Sequence, residues 1–301
     1  MDRKGVLYAI GAYIMWGLFP LYWKQLEFMP ALQIIGHRIG WSFLLLLLVI
    51  LVTRQWSAFR AAAGDPKILR IYLVAAVLIS VNWFIYVWAV NHGFVVETSL
   101  GYYINPLFSV LLGVTVFRER LRPVQWLPIG LAALGVIYLA FHYGSLPWIA
   151  LSLAFSFGLY GMLKKTAPLG SLYGLTLETG MLFLPALAYL AWCQASGQAA
   201  FLHSSAQANW MMVGAGLVTT VPLLLFASAA PRVPLTVIGI LQYINPTMQF
   251  LLGVLLYKEP FTHDRLIGFG LVWLGLVLFW AEGLYARRAL APEPLPELGE
   301  G

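Results

Sequence analysis

A chain of 301 residues that is 61% hydrophobic and only 10% charged lies outside the range of soluble domains, in which roughly a quarter of residues carry charge. Mean hydropathy is +0.81, and twelve Trp and fifteen Tyr suit helices whose ends sit at lipid headgroups. The net charge of +6 comes with no basic stripe and no nucleic-acid motif, so no nucleic-acid partner is expected, and the single cysteine, Cys193, excludes an internal disulfide and a cysteine-rich metal site.

A spanning helix needs roughly 20 apolar residues. Ten stretches qualify: 5–24, 31–53, 68–91, 95–117, 123–141, 147–165, 171–192, 208–230, 234–257 and 264–285. The first follows Arg3 and Lys4 and stays apolar through Trp23. It is too long for a signal h-region and lacks a small-residue cleavage site, so a retained span is expected. Tyr13, Trp16 and Pro20 step along one of its faces. Span 2 carries His37 and Arg38 about seven residues in, roughly 10 Å below its entry face at 1.5 Å per residue. Span 3 places Asn82, Trp83 and Tyr86 on about one side.

Span 4 begins at Glu97 and has Asn105-Pro106 at its centre, with Tyr102, Asn105 and Ser109 on one face. Tyr160 lies on span 6 and Glu178 on span 7. Span 9 repeats the pattern of span 4, with Asn245-Pro246 at mid-span and Gln242, Asn245 and Gln249 on one face. A proline donates no amide proton and clashes with the carbonyl four residues back, here that of Tyr102 or Gln242. A freed carbonyl in hydrocarbon must be satisfied by a neighbouring helix, a water or a solute. Pro106 and Pro246 are therefore candidate hinges. The polar residues beside them are candidates for lining one substrate cavity, the alternative being helix-to-helix hydrogen bonds. Residues 286–301 are polar, Pro-rich and acidic, and a disordered cytoplasmic tail is expected there.

The chain is a duplication. Tyr103–Glu119 reads YINPLFSVLLGVTVFRE and Tyr243–Glu259 reads YINPTMQFLLGVLLYKE, an offset of 140 residues. Gly40 matches Gly180, Gly135 matches Gly275 and, with a slip of one, Lys24 matches Lys165. Residues 5–141 and 147–285 thus form two five-helix repeats. With the N-terminus inside, fourteen of the eighteen Lys and Arg fall in cytoplasmic segments, three outside, and Arg38 within a span. That bias puts both termini in the cytoplasm. An odd number of spans per half inverts the second half relative to the first, the usual basis of alternating access in secondary transporters.

Intramembrane charges are few, and each needs a partner. Arg38 and Glu97 can meet within the first half. Glu178, the repeat equivalent of Arg38, is expected at similar depth from the opposite face, as a gating or proton-coupling carboxylate. Glu119 and Glu259 end spans 4 and 9 as structural brackets. No Walker A loop, HExxH or nucleophile elbow is present, so ATP-driven transport is not indicated and no catalytic residue is assigned. The five histidines are scattered, and neither a metal nor a cofactor is expected.

The paired segments LLGVTVFRERLRPVQWLPIGLAALGV and LLGVLLYKEPFTHDRLIGFGLVWLGL resemble the EamA repeat of the drug/metabolite transporter superfamily. GSLPWIALSLAFSFGLYGMLKK, TTVPLLLFASAAPR and QYINPT resemble the RarD-type permeases within it. The resemblance covers nearly all of residues 5–285. It implies an all-α membrane protein of ten helices in two inverted repeats, with spans 1–4 and 6–9 around a central cavity. It also implies peripheral spans 5 and 10, often at a homodimer contact, and a bacterial inner-membrane location. The expected function is secondary transport of a small amphipathic organic solute, with membrane lipids as the surroundings. The competing expectation is a membrane-embedded enzyme acting on a lipid-linked substrate through His37, Arg38 and Glu178.

Overall fold

The computed structural model describes residues 2–91, 95–143, 148–258 and 263–289. Every regular element among them is helical: α1 (Arg3–Gly17), α2 (Phe19–Trp23), α3 (Ala31–Val52), α4 (Trp56–Ala63), α5 (Pro66–Asn91), α6 (Val95–Thr115), α7 (Trp126–Tyr143), α8 (Trp148–Thr166), α9 (Ser171–Ala195), α10 (Ala206–Ala229), α11 (Leu235–Gln242), α12 (Ile244–Leu251) and α13 (His263–Ala289). Ten helical stretches thus lie where ten spans are expected, with α4 as a short helix between two of them. Eight are long and apolar enough to cross a membrane; α6 and α8 are the other two. α13 continues to Ala289, four residues into the expected tail, and residues 290–301 lie outside the described residues.

Contacts divide the chain into two units. The first, residues 1–119 and 145–260, holds the first four helical stretches of each half. Its packing comes in repeat-related mates. α1 packs on α10 as α8 packs on α5, α3 on α10 as α9 on α5, and α1 on α12 as α8 on α6, while α6 and α11 pack on each other. Single residues obey the same rule. A Cβ on Gly17 would lie 2.7 Å from the Met248 side chain, and a Cβ on Gly158 would lie 2.4 Å from Phe108. Gly17 and Gly158 are repeat mates, as are Phe108 and Met248, so one close helix crossing occurs twice. On the symmetry axis Tyr243 and its own mate Tyr103 meet, rings 6.2 Å apart, and the Tyr243 hydroxyl donates to the Tyr103 carbonyl at 3.3 Å.

The second unit, residues 120–144 and 261–301, is α7 packed on α13. A Cβ on Gly135 would meet the Gly268 carbonyl at 2.7 Å, and one on Gly275 would meet the Pro128 carbonyl at 2.6 Å. These contacts exchange under the 140-residue offset. Arg122 pairs with Glu282 at 3.1 Å.

The two Asn-Pro helices differ. α6 runs through Pro106 as one helix. Its mate breaks at Tyr243, three residues before Pro246, into α11 and α12, and ends in a π-type turn over Leu252–Leu256. Ends are tied by carboxylates. Asp2 caps α1. α11 starts after Pro234, which offers no side-chain acceptor, and Glu119 supplies one. Its two carboxylate oxygens accept from the Leu235 and Thr236 amides at 2.7 and 2.9 Å, where a helix presents its unpaired N–H groups and positive dipole end. Lys165 adds a contact at 3.5 Å, and Glu119 is the bracket that its position at the end of span 4 predicts. Glu259 lies outside the described residues.

Candidate functional site

Between the helices of the first unit lies a cavity of about 380 Å³. Its lining includes the exposed Glu27 in the link between the first two spans, which marks its mouth, with Met29 and Ala31 beside it and Phe19, Pro20 and Trp23 of α2. Its depth is reached from four directions, because mid-helix polar residues on α5, α6, α11 and α12 all face it: Asn82, Asn105, Gln242, Asn245 and Gln249. Tyr13, Trp16, Trp83, Tyr86, Tyr102 and Phe157 supply aromatic surface, and Arg38 the one basic side chain.

Most of the polar groups are held in place. Asn82 donates to the Leu153 carbonyl and the Ser156 hydroxyl, both at 3.0 Å. Gln249 donates to Asn245 Oδ1 at 2.9 Å and to the Trp16 carbonyl at 3.4 Å. Among the described lining residues two amide acceptors are not used, and neither is the Tyr13 hydroxyl. Asn105 Oδ1 and Gln242 Oε1 are buried without a hydrogen-bond partner, and such groups carry a desolvation cost until something donates to them. They sit on opposite repeats, beside the two prolines.

Arg38 reaches the cavity from α3. Its Nε donates to Thr219 Oγ1 on α10 at 3.0 Å. Its guanidinium carbon lies 4.9 Å from the Trp23 ring centroid, 4.8 Å from Trp83 and 5.9 Å from Phe19, within cation–π range. Among the described residues no carboxylate comes within ion-pair distance of it. The Glu97 side chain, the partner that the sequence proposes, lies outside the described residues. His37 faces elsewhere, against Phe201 at 4.7 Å.

Below the cavity the interior closes. Tyr13, Trp16 and Phe157 rest on Phe226, with Trp16–Phe226 centroids at 5.7 Å and Phe157–Phe226 at 5.5 Å, and Tyr160 stacks on Phe226 at 6.2 Å. Beneath them lies a buried ion pair. Lys164 Nζ donates to Glu178 Oε1 at 2.7 Å with side chains 3% and 2% exposed, and the Tyr160 hydroxyl donates to Glu178 Oε2 at 3.0 Å.

Ten of the twelve residues singled out as cavity-lining therefore converge on this cavity, together with Arg38. Ser109 and Tyr160 do not: Ser109 is buried away from it, and Tyr160 belongs to the closed side with Glu178. Pro106 and Pro246 lie in the helices behind the lining. Lys164 is the residue that the sequence misplaces. It reads as a basic helix end beside Lys165, but its side chain turns inward to Glu178. The available signal is its spacing four residues after Tyr160, on one helical face. Phe19, Trp23, Phe157 and Thr219 are also missed, being indistinguishable by type from lipid-facing or structural residues.

The fold and the central cavity define a polytopic helical membrane protein of the duplicated-bundle class. The EamA-like transporter family matches residues 3–141 and 146–281, and the chain belongs to that family. It is 49% identical to the uncharacterized transporter YojE of Bacillus subtilis, over 95% of this chain and 97% of that protein. It is 47% identical to Protein RarD of Streptomyces exfoliatus, over 96% and 92%, and 40% identical to Protein RarD of Escherichia coli, over 95% and 97%. A solved crystal structure superposes with a TM-score of 0.68 at 18% identity, over 96% of this chain and all of the other, a likeness of fold alone.

Proposed function

We propose that the chain is a secondary carrier that moves a small amphipathic organic solute across the bacterial inner membrane by alternating access between its two repeats. The supporting observation is the polarity of the interior. One end of the bundle carries the cavity mouth around Glu27, Phe19 and Trp23, and the other is sealed by Tyr160, Lys164 and Glu178. Those two ends are the same place in the repeat. With the offsets of 141 for α1/α8 and 140 for α3/α9, Lys164, Tyr160 and Glu178 are the mates of Trp23, Phe19 and Arg38. A repeat pair in which one copy is open and the other shut is what an alternating-access carrier adopts in one of its two states.

The charge bias places the mouth outside and the ion pair on the cytoplasmic side, with both termini inside. Pro106 and Pro246 serve as hinges. α7 and α13 form the surface for any homodimer. The five-helix repeats at 5–141 and 147–285 exchange conformations between the two states. No observation favours the enzymatic alternative, and no catalytic role is assigned.

The test uses a single cysteine, Gln249→Cys, in a Cys193→Ser background, in vesicles of known orientation. An impermeant thiol reagent should label it from the outer side. Adding Lys164→Met with Glu178→Gln, which removes the lock without stranding a charge, should bring labelling from the cytoplasmic side. Labelling that stays on one side with the lock removed rules the carrier reading out.

A further inference from the structure

The ion pair and its mate solve the same problem in opposite ways. At the sealed end Glu178 finds a cation, Lys164, and a hydroxyl, Tyr160, from its own chain. At the open end Arg38 finds aromatic faces at the same two repeat positions, Trp23 and Phe19, plus a third on Trp83. Aromatic faces attract a guanidinium but accept none of its in-plane N–H groups. Of the five donors of Arg38, one is used among the described residues, on Thr219. A cation in a low-dielectric cavity calls for a counter-charge, and the other charged lining residue, Glu27, is exposed at the mouth and out of ion-pair reach.

We infer that the counter-charge, absent among the described residues, arrives with the solute, and that the transported class is organic monocarboxylates with an apolar or aromatic body. The inference rests on the carrier reading and names its substrate class. Arg38 lines the cavity, and a guanidinium carries donors spaced for two carboxylate oxygens. The indoles of Trp23 and Trp83 lie 4.9 and 4.8 Å from the Arg38 guanidinium carbon and offer the solute body a surface. Asn105 Oδ1 and Gln242 Oε1 are acceptors that repel a second anionic group and favour a body bearing a hydroxyl or N–H. One cation matched to one anion also neutralises the charge of Arg38, leaving Glu27 at the exposed end, which lowers the cost of passing the solute between the two states.

The experiment compares phenyl compounds that differ in the head group alone: benzoate, benzamide, benzylammonium and phenyl phosphate. Thermal unfolding midpoint and tryptophan quenching are followed on the purified full chain. Benzoate should raise the midpoint in a saturable way while benzamide and benzylammonium do not, and Arg38→Gln should weaken benzoate by roughly tenfold or more. Arg38→Lys keeps the charge and loses the fork, so it should retain part of the preference and shows that the loss in Arg38→Gln is not misfolding. Equal stabilisation by benzoate and benzamide overturns the inference, as does benzoate binding that survives Arg38→Gln. Stronger binding of phenyl phosphate overturns the carboxylate assignment in favour of a phosphate ester. Discrimination that appears only after Glu97→Gln overturns it too, since Arg38 would then have an internal partner. The cysteine-access test above needs no ligand, so failure of the carrier reading and failure of the substrate class are told apart.

Discussion

The first half carries Arg38 at the repeat position where the second carries Glu178, and the surroundings of the two explain why the halves cannot do the same thing at once. Around Glu178 the neighbours are complementary and polar, and the region is shut. Around Arg38 the neighbours are flat and apolar, and the region is hollow. Helix packing obeys the repeat down to single glycine contacts, apart from the break at Tyr243 that α6 lacks, whereas the charges do not. Symmetry of packing supplies two similar arrangements, and asymmetry of charge sets the ends apart: one meets its own chain, and the other, on the proposal above, a solute.

The largest expected effect tests the shut side. Removing one member of a buried ion pair leaves an uncompensated charge and commonly costs about 3–5 kcal/mol. Lys164→Met alone and Glu178→Gln alone should each lower the unfolding midpoint strongly, and the double variant should recover most of the loss. Additive losses would mean that the two side chains are not coupled. The comparison can next be inverted. Trp23→Lys with Arg38→Glu writes the sealed chemistry of the second half into the first. The double variant should be more stable than Arg38→Glu alone, and outer-side labelling of Gln249→Cys should drop several-fold; unchanged labelling would show that sealing depends on more than those two positions.

The prolines give a smaller contrast. The helix is already broken ahead of Pro246 and continuous through Pro106, so Pro246→Ala has a break to heal and Pro106→Ala does not. The two should shift cavity labelling toward opposite faces, with the larger shift for Pro246→Ala. Shifts of the same sign would end the view of the pair as mirrored hinges. Smallest are Asn105→Ala and Asn245→Ala. A helix–helix hydrogen bond in a membrane is worth about 0.6 kcal/mol on average, so folding should be nearly unchanged while solute binding weakens, measured as the concentration dependence of stabilisation.

Much of the architecture is legible in the residues because the membrane imposes it. Span length, Pro and Gly punctuation and the 140-residue echo locate the helices within a few residues, and the polar mid-helix positions Asn82, Asn105, Gln242, Asn245 and Gln249 lead to the cavity because a buried amide in lipid surroundings needs a reason. What stays hidden is helix rotation. In a soluble protein polar and apolar faces reveal which side is buried. Here lipid is as apolar as the core, so Trp23 against Arg38 and Trp126 on an exposed surface look alike in the sequence. Lys164 is hidden for a related reason: beside Lys165 at a helix end it matches a charge kept at the membrane surface, and only its ion pair with Glu178 of α9 shows that it turns inward.

The hydrogen bond between Tyr243 and Tyr103 has a consequence of its own. The donor is a side-chain hydroxyl and the acceptor a backbone carbonyl, so the side chain of the second copy is tied to the main chain of the first. Such a tie can be cut without touching the backbone that receives it: Tyr243→Phe removes the bond and leaves the two rings in place.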